Sequence, residues 1–497
     1  MSFLYFAPRC VLVAYVFWLV RRPGIEGKTF TRSSQKIQMF DAAIHSNSVV
    51  IPGGMMNATI VIKNGLIEDI VTGFLENAID LGDKILMPGI VDPHVHINEP
   101  GRSDWEGFDT ATRAAMAGGV TTLVDMPLNS LPVTTTVSAL EEKISSTKNQ
   151  LHVNCGFWGG IIPGNEYEVE PLIEKGVFGF KAFLTHSGID EFPNVTEQDL
   201  RKVMPVIARH GLPLLVHCEL SEENPKSTSK TERNNQESVY NTQRNSYHHY
   251  LHSRPGKWED DAIALMIKLC RDYNCKVHIV HLSSANSLEQ IKKAKEEGLP
   301  LTVETAQHYL YFNAETIHDG QTQYKCAPPI RERENNHKLW QALNDGIIDF
   351  VATDHSPAPP EMKEFQSGDF IKAWGGIASL QFALPVLWTI AKKHNCSIVD
   401  IAKWLCEYPA RLPGLKKKGK IQKGYDADLV VWNAGKEFTP NEDMIHHKHK
   451  TTPYLNESLY GVVDQTWLGG KKVYDNGKFL HLNQGKLLLR WVNKRTP

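Results

Sequence analysis

Two spacings of apolar residues divide this 497-residue chain. From about residue 34 to 84, apolar and polar residues alternate in short runs broken by Gly, Asn and Asp, as in "NATIVIKNGLIEDI". That period of two predicts a small β-domain. From Ile85 to about residue 410 the pattern becomes β-branched runs separated by helix-period segments. The runs are "MPGIVDPHVHI", "VTTLVDM", "LHVNCGF", "VFGFKAF", "LPLLVHC", "KVHIVHL", "LPLTVET" and "IIDFVATDH". Between them lie segments such as "TEQDLRKVMPVIARHG" and "SANSLEQIKKAKEEG". Eight such strands with helices between them predict an α/β fold, a (β/α)8 barrel. In the remaining part, 411–497, the β pattern returns in "YDADLVVWN" and "GVVDQTWLGGKKVYDNGKF", so both ends are expected to build one β-rich satellite domain. The stretch 221–246 is polar and nearly free of aliphatics, and reads as a long surface loop.

The first 33 residues stand apart. "CVLVAYVFWLV" is eleven apolar residues followed by Arg21 and Arg22, too few to span a bilayer comfortably. Organelle targeting or anchoring, mitochondrial or in the endoplasmic reticulum, is one reading, and a cytoplasmic protein with a buried segment is the other. Composition narrows the function class. A net charge of -2 without a basic stripe argues against a nucleic-acid partner. Eight scattered cysteines with no Cys-x-x-Cys pair read as reduced thiols of an intracellular protein.

Candidate chemistry sits at the strand ends. Side chains alternate along a strand, so His94 and His96 share a face, and two neutral imidazoles there make a good ligand pair for a divalent cation. The fourth run carries Lys181, the fifth ends near His217, the sixth near His281 and the eighth near Asp354. Singly, each has an ordinary structural reading, as a hydrogen-bonded core histidine, a snorkelling lysine or a helix cap. A barrel gathers the C-terminal ends of its strands at one mouth, so all six converge there.

"DPHVHINEPG", the lysine in "GFKAF", "LVHCE", "HIVHLSS", "VETAQHYL", "KCAPPIR" and "TDHSP" together resemble the amidohydrolase superfamily, in its cyclic-amidase branch, over about residues 36–480. Within that branch, "NEPGRSDWEGF", "DMPLNS", "FWGG" and "KAWGGI" are most similar to the members that open allantoin. The resemblance implies two divalent metal ions, with His94, His96 and Asp354 on one and His217 and His281 on the other. Lys181, carboxylated on its amine, would bridge them. Zinc is the expected ion, and cobalt, manganese or iron suit the same donors. Asp354 is implied as the general base that becomes the general acid. Relatives of this kind are often homotetramers.

Departures from the branch bear on the substrate. Members acting on dihydroorotate have an arginine two residues after the second histidine, where this chain has Asn98. Without a guanidinium for a carboxylate, a neutral ureide such as allantoin, a small molecule of purine breakdown, is the expected substrate. Hydantoinases place a tyrosine five residues after the lysine, where this chain has His186, which is expected to contact substrate together with the backbone at Ala327. A dihydropyrimidinase or hydantoinase is the alternative enzyme. A non-catalytic scaffold is the alternative class, which the complete ligand set disfavours.

Overall fold

The computed structural model describes residues 40–221 and 243–490. The N-terminal apolar segment and most of the polar stretch after the fifth run therefore lie outside the described residues, as do the last seven residues. Among the described residues, no helix is long and apolar enough to cross a membrane.

Strands β1 (Ala42–Ile51), β2 (Gly54–Lys63) and β3 (Leu66–Thr72) form an antiparallel meander. The β2–β3 hairpin turns at Asn64 and Gly65, both at positive φ (52° and 76°), the pairing that a two-residue hairpin with right-handed strand twist requires. Short β4 (Ile79–Asp80) and β5 (Ile85–Pro88) pair parallel to β1. Barrel pairing then begins at Ile90, two residues past the end of β5.

The barrel comprises β6 (Ile90–Val95), β7 (Val120–Asp125), β8 (Asn154–Phe157), β9 (Gly159–Gly160), β10 (Phe180–Phe183), β11 (Pro213–His217), β12 (Lys276–Ile279), β13 (Leu301–Ala306) and β14 (Phe350–Ala352). All pair in parallel, β6–β7–β8 in one run and β9 through β14 in the other. Each of the eight predicted runs contains a strand. The third is split, because β8 and β9 are halves of one strand interrupted at Trp158, whose indole donates to the Pro93 carbonyl at 2.8 Å. The glycines of β9 are required by close packing, since a Cβ at Gly160 would lie 2.5 Å from the Phe192 ring. The ring closes where Val95 pairs with His355 and the His96 N–H donates to the His355 carbonyl at 2.8 Å.

Helices cover the barrel with the predicted period. In Glu197–Arg209, Leu200, Val203, Met204 and Ile207 are buried along one face. Its start is fixed by a reciprocal pair in which Thr196 Oγ accepts from the Asp199 N–H and Asp199 accepts from the Thr196 N–H at 3.0 Å.

Strands β15 (Leu429–Phe438), β16 (Leu459–Leu468), β17 (Lys471–Asp475) and β18 (Lys478–Phe479) complete the first sheet. β15 lies antiparallel to β5, with Leu429 opposite Pro88 and Trp432 opposite Ile85. The final described residues return to the barrel. Gly485 N donates to Leu151 O at 3.0 Å, Leu488 N to Cys155 O at 2.7 Å and Arg490 N to Gly176 O at 2.8 Å. They run along the side of β8 away from β7.

Candidate metal centre

The strand ends bring six side chains to one cavity of about 470 Å³. His94 lies within β6 and His96 just beyond it, Lys181 lies in β10 and His217 ends β11. His281 and Asp354 each follow their strand by two residues and have positive φ, 38° and 45°. Side-chain-bearing residues rarely adopt that region, at a cost of about 1–3 kcal/mol each, and the closed barrel on either side holds them there.

His94 Nε2 and His96 Nε2 lie 3.2 and 3.5 Å from Asp354 Oδ1. Among the described residues, these three form a group whose ligand atoms all lie within 4.8 Å of one another. Opposite them, His217 Nδ1 and His281 Nε2 approach to 2.9 Å. The two sets adjoin, with the His94 and His281 rings 5.4 Å apart. Lys181 Nζ is buried, has no hydrogen-bond partner among the described residues, and stands 4.9 Å from the Phe183 ring.

Carboxylates behind the rings set their orientation. Glu304, on β13, contacts His94 Nδ1 with one oxygen and His278 Nε2 with the other at 3.1 Å. Glu219 Oε2 lies 2.7 Å from His217 Nε2, and Arg254 Nε donates to Glu219 Oε1 at 3.0 Å. A carboxylate on one ring nitrogen places the proton there and leaves the other nitrogen as ligand. Asn129 takes the corresponding place 3.4 Å from His96 Nδ1. Turning its amide over would bring Oδ1, otherwise buried without a partner, against that ring.

Burial and charge compete throughout. Burial alone drives the Lys181 amine down to about 7. It also lowers His96 and His217, and takes His281 well below the usual imidazole range. His94 goes the other way: burial opposes its charge, but Asp354 and Glu304 outweigh burial and lift it to about 9. Burial would favour neutral Asp354, but His94 and the hydrogen bonds from both rings hold it far below the ordinary carboxylate range. Three largely neutral imidazoles, an amine whose charge burial disfavours and an ionised carboxylate suit divalent cations, and a cation at His94 would take the place of its added proton. The orphaned Lys181 Nζ points to the same occupant.

The substrate-contact expectations land differently. Ala327 lines the cavity, and His186 lies at its rim with its side chain 61 % exposed. Asn98 lies outside the cavity lining, and at φ 67° its Nδ2 donates to the Pro357 carbonyl at 3.3 Å. Asn129 is the amide on the wall. Glu219, Glu304 and Arg254 carry no role in the sequence reading. Glu219 was within reach, because it follows His217 by only two residues. Glu304 was not, because it serves a histidine 210 residues away.

The model of the Amidohydrolase family matches residues 85–473. The chain is 44 % identical to an allantoinase of Streptomyces avermitilis, covering 90 % of this chain and 99 % of that one. It is 42 % identical to an allantoinase of Arabidopsis thaliana, with 88 % of each chain covered. A protein of Aquarana catesbeiana named "Allantoinase, mitochondrial" is 41 % identical over 90 % of each. Among solved structures, an L-hydantoinase (dihydropyrimidinase) from Arthrobacter aurescens superposes with a TM-score of 0.83 at 28 % identity, covering 91 % of this chain and 100 % of that one.

The His94–Glu304 contact yields a test. Glu304→Gln keeps the shape but loses the charge that fixes the ring, so metal affinity should fall by about 10–100-fold. Competition with a chromogenic chelator measures this, and unchanged affinity would remove Glu304 from the centre's support.

Proposed function

This chain belongs to the amidohydrolase family, and from that premise we propose that it hydrolyses the cyclic amide of allantoin to allantoate. The observation that carries the proposal is the run of relatives named allantoinase at 41–44 % identity over most of both chains. The L-hydantoinase shares 28 %, so the hydantoinase alternative is less favoured.

Enzymes of this family are metal-dependent, and the donor set here suits it. The proposal assigns His94, His96 and Asp354 to one ion and His217 and His281 to a second, with zinc as the expected metal. Bound divalent ions supply Lewis acidity for the ring carbonyl and lower the pKa of water. Lys181 Nζ is assigned as an N-carboxylated bridge. An amine near neutrality can add to carbon dioxide with loss of one proton, and the resulting carbamate anion answers two cations where an ammonium would repel them. Asp354, ionised and against both histidines of β6, takes a proton from the attacking water and passes it to the leaving ring nitrogen. The backbone at Ala327 is assigned to the ring amide and His186 to the mouth. Direction to an organelle, supported by the mitochondrial name of the Aquarana relative, and a homotetrameric assembly belong to the same reading.

Assay of the metal-loaded protein on allantoin, hydantoin, dihydrouracil and dihydroorotate tests the substrate. Allantoin should turn over fastest and dihydroorotate negligibly, and a higher kcat/KM on any other ring would overturn the assignment.

Asp354→Asn keeps a ligand oxygen but cannot cycle a proton. Its kcat should fall by about 10²-fold or more at full metal occupancy. Turnover near wild type with both metals bound would show that another group moves the proton.

Lys181→Ala removes the bridge without adding charge or bulk. Elemental analysis should find metal lost along with activity, while circular dichroism remains that of the wild type. A variant holding two ions per chain and turning over normally would contradict the bridged centre.

A further inference from the structure

The segment 325–331, "KCAPPIR", contributes Ala327 to the cavity wall, and its two prolines decide how it is held. Pro328 and Pro329 have no N–H to give, so the run cannot complete a helix or a sheet ladder. Its carbonyls must find donors elsewhere, because buried acceptors are rarely left open. At the two ends the donors are backbone groups: Lys325 O accepts from the Gly376 N–H and Arg331 O from the Ala314 N–H, both at 2.9 Å. Between the ends they are side-chain hydroxyls. Tyr250 donates to Cys326 O at 2.7 Å and Tyr309 to Pro328 O at 2.7 Å. Ser283 donates to Pro329 O at 2.6 Å and Tyr247 to Ile330 O at 2.6 Å.

Ala327 is the exception. Among the described residues nothing donates to its carbonyl, and its N–H donates to nothing. It is also the one residue of the run that is not buried. Every carbonyl around it is tied down, so the wall at Ala327 is fixed before a ligand arrives.

The hydroxyls stand on pieces of chain that also serve the metal centre. Ser283 follows His281 by two residues, and Tyr309 lies in the short helix Gln307–Tyr311, directly after the strand that carries Glu304. Tyr247 and Tyr250 lie in the helix Tyr247–Ser253, which leads into Arg254, the partner of Glu219. The wall is thereby held in register with the floor of the cavity. Tyr250 lines the cavity itself, whereas Tyr309 and Ser283 are buried outside its lining and reach it only through the carbonyls they hold.

We propose that Tyr309 is a positioning residue for the substrate: by holding the Pro328 carbonyl, its hydroxyl keeps the adjoining Ala327 peptide at its set place beside the metal centre. The inference rests on the allantoin reaction and the Ala327 contact proposed above. Without the hydroxyl, the Pro328 carbonyl becomes a buried acceptor with no partner. Turning the chain towards the cavity relieves that cost and carries Ala327 out of place.

The test uses the metal-loaded full chain. Tyr309→Phe keeps the ring and removes one oxygen. KM for allantoin should rise about three- to tenfold, the worth of one hydrogen bond to the substrate, with kcat and metal content close to wild type. Tyr311→Phe is the control, because it removes a hydroxyl of the same helix that bonds Glu457 at 2.9 Å instead. Both variants can lower the unfolding temperature, but only Tyr309→Phe should move KM. An unchanged KM, or an equal rise in Tyr311→Phe, overturns the inference while leaving the reaction intact. Tyr250→Phe, at the carbonyl on the other side of Ala327, should act in the same direction. A rise confined to Tyr250→Phe would mean direct contact with substrate, against positioning through the backbone. Ser283→Ala frees the next carbonyl and repeats the test should Tyr309→Phe not fold, and an unchanged KM there also overturns the inference. Failure of the wild type to open allantoin overturns the reaction itself, and is seen before any variant is made.

Discussion

Charge enclosed away from water must be answered by opposite charge or by hydrogen bonds, and the floor of this barrel is arranged around that requirement. Lys181 is its sharpest instance, an amine walled in by Phe183 and neighbouring imidazoles with no hydrogen-bond partner among the described residues. The surrounding carboxylates do not crowd in to neutralise it. Glu304 is turned to His94 and His278, and Glu219 to His217 and Arg254. Each acid is committed to a ring or a guanidinium, which brings both to about 2 despite burial. The second layer is thus electrically closed, and the inner faces of the histidines are left for cations.

That closure depends on the backbone. The left-handed turns at His281 and Asp354 come directly after parallel strands. A strand continuing straight would carry those side chains past the mouth. Strain of this kind persists where the structure on both sides is over-determined, as in a closed sheet with helices packed on its outside.

The strands, their number and the six polar side chains gathered at the cavity could be read from the chain because each depends on local pattern. Alternation shows a strand, the end of an apolar run shows where its polar residue emerges, and a barrel brings those ends together. The N–G turn between β2 and β3 was legible for the same reason. What escaped depends on distance in sequence. Glu304 acts on His94, and the break at Trp158 follows from packing against Pro93, neither of which local spacing reveals. Asn98 shows the opposite difficulty. Its position two residues beyond a ligand suggests the cavity, but positive φ points its amide to Pro357, while Asn129, with no signal of its own, stands on the wall.

The run of residues 485–490 along β8 bears on how the molecule comes to be made. Because β8 and β9 part at Trp158, the first half of that strand offers a row of unpaired N–H and carbonyl groups on the side away from β7. An open edge of this kind is a template for any extended chain, including another copy. Here its partner, residues 485–490, follows β8 far along the chain. During translation the edge therefore stays without that partner until those residues have emerged. A chain cut short after β18 would lack this cover and carry a sticky seam.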